Sequence, residues 1–154
     1  MKVIKRYSGI GGGIQTPTKI VIHAMSEYIN GMYADEFLQS VKLSAHFLLK
    51  PNGEFIKVRK TTEKAWHAKD FNTDSVGIEV LVEGEHTYST FLDKIKTDWV
   101  KPEQMEALIE MTNGIIEHYD IDKSQVFRHS DLSPERKKDP GSGFDWEYFK
   151  SNLI

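Results

Sequence analysis

The sequence contains no cysteine. A disulfide framework, a thiol nucleophile and a thiolate metal site are therefore excluded, and any metal ion would have to be held by histidine, aspartate or glutamate. No segment approaches the roughly 20 apolar residues of a membrane-spanning helix. The basic start of the chain runs into the glycine-rich segment 9–13 instead of the apolar stretch of a secretory signal. We therefore expect a cytoplasmic protein without a membrane partner.

An excess of charge of either sign is also missing, because 20 lysines and arginines face 23 aspartates and glutamates, a net charge of −3. This balance gives no reason to expect nucleic acid as a partner. The chain of 154 residues, 39% of them hydrophobic, suffices for one core, and we expect a monomer. Residues 1–18 are predicted to form an N-terminal arm, because their glycines match no phosphate-binding pattern. Residues 19–154 are predicted to form the single folded domain.

The spacing of apolar residues predicts both strands and helices. Strands are predicted at 19–25, 43–50, 54–59, 75–82 and 125–129, and helices at 33–41 and 102–119. The turn Pro51-Asn52-Gly53 joins two of these strands into a hairpin, whereas segment 88–99 fits either a short helix or a mobile cover. Because the elements follow no regular βαβ repeat, we expect an α/β fold with a central mixed β-sheet flanked by helices.

Histidines are the first candidates for metal ligands. The chain has six, at positions 23, 46, 67, 86, 118 and 129. His23 and His129 each close a short apolar strand, and at one edge of a sheet they could form two legs of a metal site, although a single histidine in such a place is more often structural. His86, in a polar loop, and His118, near the end of the long helix, are expected to be exposed.

Acidic residues offer the remaining chemistry. Asp139, in a turn before Pro140, is the first candidate for a third ligand, and Asp131 is the alternative. Three protein ligands with an open fourth position make a catalytic zinc site, which lowers the pKa of bound water to about 7 and polarises a carbonyl group. Glu79 interrupts an apolar strand, so it is either on a solvated face or a general base aimed into the site. Spacing alone leaves this choice open.

Five groups of residues along the chain resemble one known family. They are Ile20-Val21-Ile22-His23, Ser44 to Leu49 with the Asn52-Gly53 turn, Ala65 to Ala68, Ser75 to Glu79, and His129 to Gly141 with Phe144 to Trp146. In this order they resemble the zinc-dependent N-acetylmuramoyl-L-alanine amidases of the type 2 class. That family shares its fold with peptidoglycan recognition proteins and phage amidase endolysins. Residues 19–154 would then be a zinc amidase catalytic domain.

The resemblance implies a role for five residues. His23, His129 and Asp139 fall on the three zinc ligands of the family. Glu79 falls on the catalytic glutamate, and Lys137 on the lysine that supports the transition state. The implied reaction is zinc-dependent hydrolysis of the amide bond between N-acetylmuramic acid and L-alanine, with peptidoglycan or muropeptides as the partner.

Two positions at which members of this family differ from one another indicate which branch of the family the chain resembles. Members similar to phage lysozymes carry a tyrosine where this chain has Ala45, and they lack a glutamate at position 79. The chain therefore resembles the glutamate-using, cytoplasmic recycling amidases, although a phage endolysin stays open. The alternatives from other classes are a non-catalytic peptidoglycan-binding module and another zinc amidohydrolase.

Substrate contacts are less constrained by the sequence. His67 would either bind substrate or brace a zinc ligand, and Trp66 would either stack on a sugar or fill the core. Arg136 would either meet the carboxylates of a stem peptide or be a solvated charge. His46 is expected to support or pack within its strand, with substrate contact as the lesser alternative.

Overall fold

Two long parallel strands form the centre of the fold, which a computed structural model describes for all 154 residues. Strands β2 (Lys19–Ile29) and β6 (Ser75–Glu85) are paired over most of their length. Both carry valine and isoleucine in their first four residues, and the branched side chains of these residues favour buried strands. A mixed sheet of seven strands is built around this pair, which confirms the predicted fold class.

Short strands complete the sheet on both sides of the central pair. Beyond β6 lie β4 (Phe47–Leu49), β5 (Phe55–Lys57) and β1 (Val3–Lys5), in that order. The hairpin of β4 and β5 turns where predicted, with Gly53 at a φ of +88°, a conformation that favours glycine. On the other edge of β2, β7 (Val126–Arg128) pairs with its first half and β3 (Met32–Tyr33) with its end.

Five helices pack on the sheet. They are α1 (Ala34–Ser40), α2 (Tyr88–Lys94), α3 (Pro102–Tyr119), α4 (His129–Leu132) and α5 (Trp146–Ser151). The bounds of α3 agree with the prediction, because Pro102 occupies the first turn and Asp120 ends the helix in a left-handed conformation. The undecided segment 88–99 contains α2 and then the buried Trp99. None of these helices combines the length and apolar character needed to cross a membrane.

The two faces of the sheet differ in what covers them. Successive side chains of a strand point to opposite faces. From β2, Ile20 and Ile22 point into a core of 22 buried residues, which includes side chains of α2, α3 and α5. Met25 belongs instead to a cluster of eight on the opposite face, beside α1. His23 alternates with Ile22 and therefore shares the more lightly covered face with Met25.

The N-terminal segment is not the separate arm that its glycines predict. β1 pairs in parallel with β5, and Ile14 bridges to Glu63. The buried guanidinium of Arg59 donates hydrogen bonds to the carbonyl oxygens of Ser8 and Gly12, both at 3.1 Å. A buried cation needs such acceptors, so the carbonyls of the glycine-rich segment are part of the packed domain.

The position of His23 within its strand also corrects the prediction. β2 does not stop at His23 but continues for six more residues, to Ile29. Polar residues are accommodated there, since the Ser26 hydroxyl donates to the carbonyl oxygen of Tyr28 at 2.8 Å and the register with β6 shifts between these two residues.

Candidate active site

A row of three side chains crosses the middle of the sheet. The register of β2 with β6 pairs His23 with Glu79. The register of β2 with β7 ends at the pair Ile22 and Arg128, so the next residue, His129, comes to lie beside His23. The two Nδ1 atoms of these histidines are 2.9 Å apart, and Oε2 of Glu79 is 4.0 Å from Nδ1 of His23. Parallel pairing thus brings residues from three distant parts of the chain onto one face.

Asp139 enters where the edge of β2 has no strand partner, between β7 and β3. The Ala24 N–H donates to its Oδ2 at 3.1 Å, and the Ser130 N–H donates to its carbonyl oxygen at 3.0 Å. Its Oδ1 lies 3.2 Å from Nδ1 of His129. The other candidate, Asp131, faces away and forms a 2.9 Å ion pair with Arg128. Of the two aspartates, the structure therefore brings only Asp139 to the histidines.

The donor atoms of this cluster fit a small metal ion. Zinc bonds of about 2.0 to 2.1 Å place the ligands of a tetrahedral site about 3.3 Å apart. The two histidine Nδ1 atoms are 2.9 Å apart, and Asp139 oxygens lie 3.2 Å from one of them and 3.6 Å from the other. Two imidazoles and one carboxylate are also the donor types that hold catalytic zinc when sulfur is absent. His23, His129 and Asp139 could thus bind a metal.

The charges of the cluster suit a cation as well. Burial lowers the pKa of His23 to about 4, so its imidazole is neutral near pH 7. Burial alone would raise the pKa of Asp139, but its hydrogen bonds and charge interactions with His129 and His23 together outweigh burial and hold that pKa below its ordinary value. A neutral imidazole and an ionised carboxylate are the forms that bind metals.

Glu79 lies beside the cluster without a partner of its own. Only 8% of its surface is exposed, and its buried Oε1 accepts no hydrogen bond. Burial and the negative charge of Asp139 raise its pKa well above the ordinary value, while Lys137 acts in the opposite direction. A carboxylate with a raised pKa and a free oxygen is equipped to take a proton from a nearby water molecule.

A cleft of about 490 Å³ opens above these residues, within the range of small-ligand sites. Trp66 and Arg136 line it, and both side chains are exposed, Trp66 by 41%. Core packing is therefore not the role of Trp66. His67 also lines the cleft, and its Nδ1 lies 2.8 Å from Nε2 of His23. Lys137 lines the cleft as well.

His46 corrects a predicted substrate contact. It is fully buried and does not line the cleft. Its Nδ1 accepts the Gly77 N–H at 3.0 Å, and its Nε2 lies 2.7 Å from the carbonyl oxygen of Glu63. Because both nitrogens are engaged inside the domain, His46 supports the strand, which was the main expectation, and has no atom free for a substrate.

One wall of the cleft consists of residues that were not predicted from the sequence to line a site. Tyr88, Phe91 and Leu92 of α2 line it, together with the partly buried His86 that was expected to be exposed. The three-four spacing of the α2 residues was a usable signal for one apolar helix face. His118 is exposed, as expected.

A mixed α/β sheet with a buried glutamate beside a His-His-Asp cluster is typical of hydrolytic enzymes that use a metal ion. Comparison with known proteins agrees. Residues 14–142 match the family model described as N-acetylmuramoyl-L-alanine amidase. Because this match covers most of the chain, the protein belongs to the N-acetylmuramoyl-L-alanine amidase family and is an enzyme with that amidase activity, not a non-catalytic binding module.

Individual relatives support the same conclusion. The 1,6-anhydro-N-acetylmuramyl-L-alanine amidase AmpD of Haemophilus influenzae is 31% identical, over 87% of this chain and 81% of its own. The Escherichia coli protein of that name is 28% identical, over 88% and 82%. Among solved structures, a selenomethionine derivative of AmpD has a TM-score of 0.77 at 24% identity and covers 99% of this chain and 95% of its own. The amidase LysC from Clostridium intestinale reaches 0.76 at 24%, with 100% and 99% covered. Both structures share the fold.

Proposed function

We propose that this amidase is a zinc enzyme in which His23, His129 and Asp139 hold the ion. Glu79 is the general base and Lys137 stabilises the developing negative charge. The observation that carries the proposal is the unpartnered Oε1 of Glu79 beside three converging ligand atoms. A bound Zn²⁺ would supply a water of lowered pKa and a polarised carbonyl group.

The residues of the chain account for the movement of protons. Glu79 takes a proton from the attacking water, whose oxygen forms a bond to the lactyl carbonyl carbon of N-acetylmuramic acid. The ammonium of Lys137, which lines the cleft, faces the negative charge that develops on the carbonyl oxygen. The carbon–nitrogen bond then breaks, and Glu79 passes its proton to the leaving nitrogen of L-alanine. The products are the lactyl carboxylic acid and the amine of L-alanine, and the proton of the acid then passes to the amine, which leaves a carboxylate and an ammonium group.

The cleft fits a substrate with one apolar and one acidic part. Trp66 offers an exposed aromatic face for the sugar. The exposed cations Arg136 and Lys138 line the same cleft and suit the carboxylates of a stem peptide. Since the curated relatives above are named for the 1,6-anhydro form of the substrate, we infer that soluble anhydromuropeptides are preferred over intact peptidoglycan.

This substrate would give the enzyme a role in recycling cell-wall fragments in the cytoplasm. Lysis of intact wall, as by an endolysin, is the competing role, and another acylated peptide as substrate is the remaining one. The cytoplasmic location, the monomeric state and the absence of nucleic-acid and membrane partners stay predictions.

Mass spectrometry of reaction products tests the proposal. The zinc-loaded chain is incubated separately with intact sacculi and with soluble anhydromuropeptides, and a chelated sample is the control. We expect stem peptides beginning with L-alanine, mainly from the soluble substrate, and none after chelation. Activity that survives chelation would contradict the zinc site, and preferential release from sacculi would favour the lytic role.

A further inference from the structure

The second nitrogen of His23 faces another histidine. Nε2 of His23 lies 2.8 Å from Nδ1 of His67, and Nε2 of His67 lies 2.8 Å from the Ser75 hydroxyl. That hydroxyl lies 2.9 Å from the carbonyl oxygen of Asn72. The four groups form one continuous chain that leads away from the proposed metal site, on whose assignment this inference rests.

His67 is held in this chain by its surroundings. Its ring lies against Gly77 of β6, where an added Cβ would come within 2.5 Å of the ring atoms Cγ and Nδ1. Gly77 lies two residues before Glu79 and therefore on the same face of the sheet. The side chain of Asn72 accepts the His67 backbone N–H at 2.9 Å. Gly77, by lacking a side chain, thus provides the space that His67 occupies.

The direction in which protons are donated along this series of hydrogen bonds follows from its last member, the carbonyl oxygen of Asn72. A carbonyl oxygen only accepts, so the single hydroxyl proton of Ser75 goes to Asn72. Ser75 must then accept from His67, whose proton is therefore on Nε2. An imidazole that carries one proton, on Nε2, accepts through Nδ1, and no carboxylate lies within ion-pair distance of His67 to balance a second proton. The remaining proton, on Nε2 of His23, is donated to His67.

The consequence appears at the other nitrogen of His23. With the proton on Nε2, Nδ1 carries a free lone pair, and Nδ1 is the atom that faces His129 and Asp139. We propose that His67 and Ser75 are positioning residues, which keep the His23 proton on Nε2 and so leave Nδ1 free for the metal ion. His129 has no such support, because its buried Nε2 has no hydrogen-bond partner.

Nitrogen NMR of the full chain without metal tests the proton directly. In ¹⁵N spectra that distinguish the two tautomers, His23 is expected to be protonated on Nε2 in the unchanged protein, and His67→Ala is expected to show a mixture. A His23 protonated on Nδ1 in the unchanged protein overturns the proposal, and this measurement needs no variant to fold.

Zinc affinity gives the second readout, measured by competition with a chelator. Partners of ligating histidines are typically worth about 10- to 100-fold in metal affinity. We expect a loss in this range for His67→Ala, a smaller loss for Ser75→Ala, and partial recovery for His67→Asn, whose Oδ1 can accept at the place of Nδ1. His118→Ala, which removes an exposed imidazole elsewhere, is the matched control and should change nothing.

The outcomes separate this inference from the proposed function. If His23→Ala abolishes zinc binding while His67→Ala leaves both affinity and tautomer unchanged, the positioning role is wrong and the metal site stands. If His23→Ala leaves zinc binding intact, the metal site itself is wrong, and the positioning role falls with it.

Discussion

The active site has a strand side and a loop side, and the two are built differently. On the strand side, His23 and Glu79 belong to the paired central strands β2 and β6 and lie within the sheet. On the loop side, His129 begins a helix of only four residues, and Lys137 and Asp139 lie in the segment after it. The hydrogen bond that the Ala24 N–H of β2 donates to Asp139 connects the two sides, while the one from the Ser130 N–H lies within the loop side.

The two sides therefore contribute different groups to the site. The strand side sets the position of the proposed base, Glu79, and of one proposed ligand, His23, before any ion binds. The loop side contributes two of the three proposed ligands from a segment with few regular hydrogen bonds, and such segments open more easily than central strands. A metal ion would therefore stabilise the loop side more than the strand side, and the following experiments separate the two.

The largest effect is expected from the strand side. Glu79→Gln removes the proton acceptor but keeps the size of the side chain, so turnover should fall by roughly two to four orders of magnitude while zinc content stays unchanged. Rates of product release and metal analysis measure the two quantities. Glu83→Gln, at an exposed position that pairs only with Lys101, is the control. Full activity of Glu79→Gln would contradict its role as the base.

The loop side is tested by its two aspartates. Asp139→Asn should weaken zinc binding by more than about 100-fold, beyond the usual range for residues that only support a ligand. Asp131→Asn removes the exposed pair with Arg128 instead and should leave zinc stoichiometry intact. Both are measured by metal analysis after dialysis. An equal loss in the two variants would show that helix α4, and not the ligand, was disturbed.

Acid should lower the stability of the fold through His46, whose Nδ1 accepts a hydrogen bond from Gly77 of the central strand β6. Burial lowers the pKa of His46 to about 4, so below about pH 6.5 the unfolded chain takes up a proton that the folded chain refuses. The contribution of His46 to the free energy of unfolding is therefore fully present above this pH and is lost as pH falls towards 4, by on the order of 2 kcal/mol between pH 7 and pH 5. Urea unfolding of the unchanged protein and of His46→Asn measures the difference. If the free energy of unfolding fell equally with pH in both proteins, His46 would not be the source of the loss.

The smallest effect concerns the response to metal removal. Chelation should speed amide hydrogen exchange in residues 129–139 by roughly three- to tenfold, because the loop side loses the ion that joins it to β2. The amides of β2 and β6 should change little. Exchange followed by mass spectrometry of peptides resolves the two regions. A uniform increase over both would contradict the division into a strand side and a loop side.

Local patterns in the sequence predicted much of this protein. Proline at the start of α3 and its apolar stripe defined that helix from Pro102 to Tyr119, and the Asn52-Gly53 turn defined the hairpin. These signals depend on residues close together in the chain. The absence of cysteine restricted any metal site to nitrogen and oxygen ligands, and the ordered motifs indicated the family that the comparisons confirm.

Other features depended on contacts between distant residues. Glycine-rich composition predicted an arm, but Arg59 draws that segment into the domain. Spacing could not decide between Asp131 and Asp139, because the choice depends on a gap beside β2 that sequence does not reveal. The role of Gly77 likewise appears only when the ring of His67 is seen against it.

The sequence by itself determined which chemical groups this protein has, where its main helix and central strands begin, and to which family it belongs. The tertiary structure alone decided that Glu79, His23 and His129 share one row, and that His67 faces His23 while His46 is enclosed. The physical reason is that residue type and periodicity act locally. Parallel pairing joins residues 56 and 106 positions away from His23, and its register decides which side chains meet.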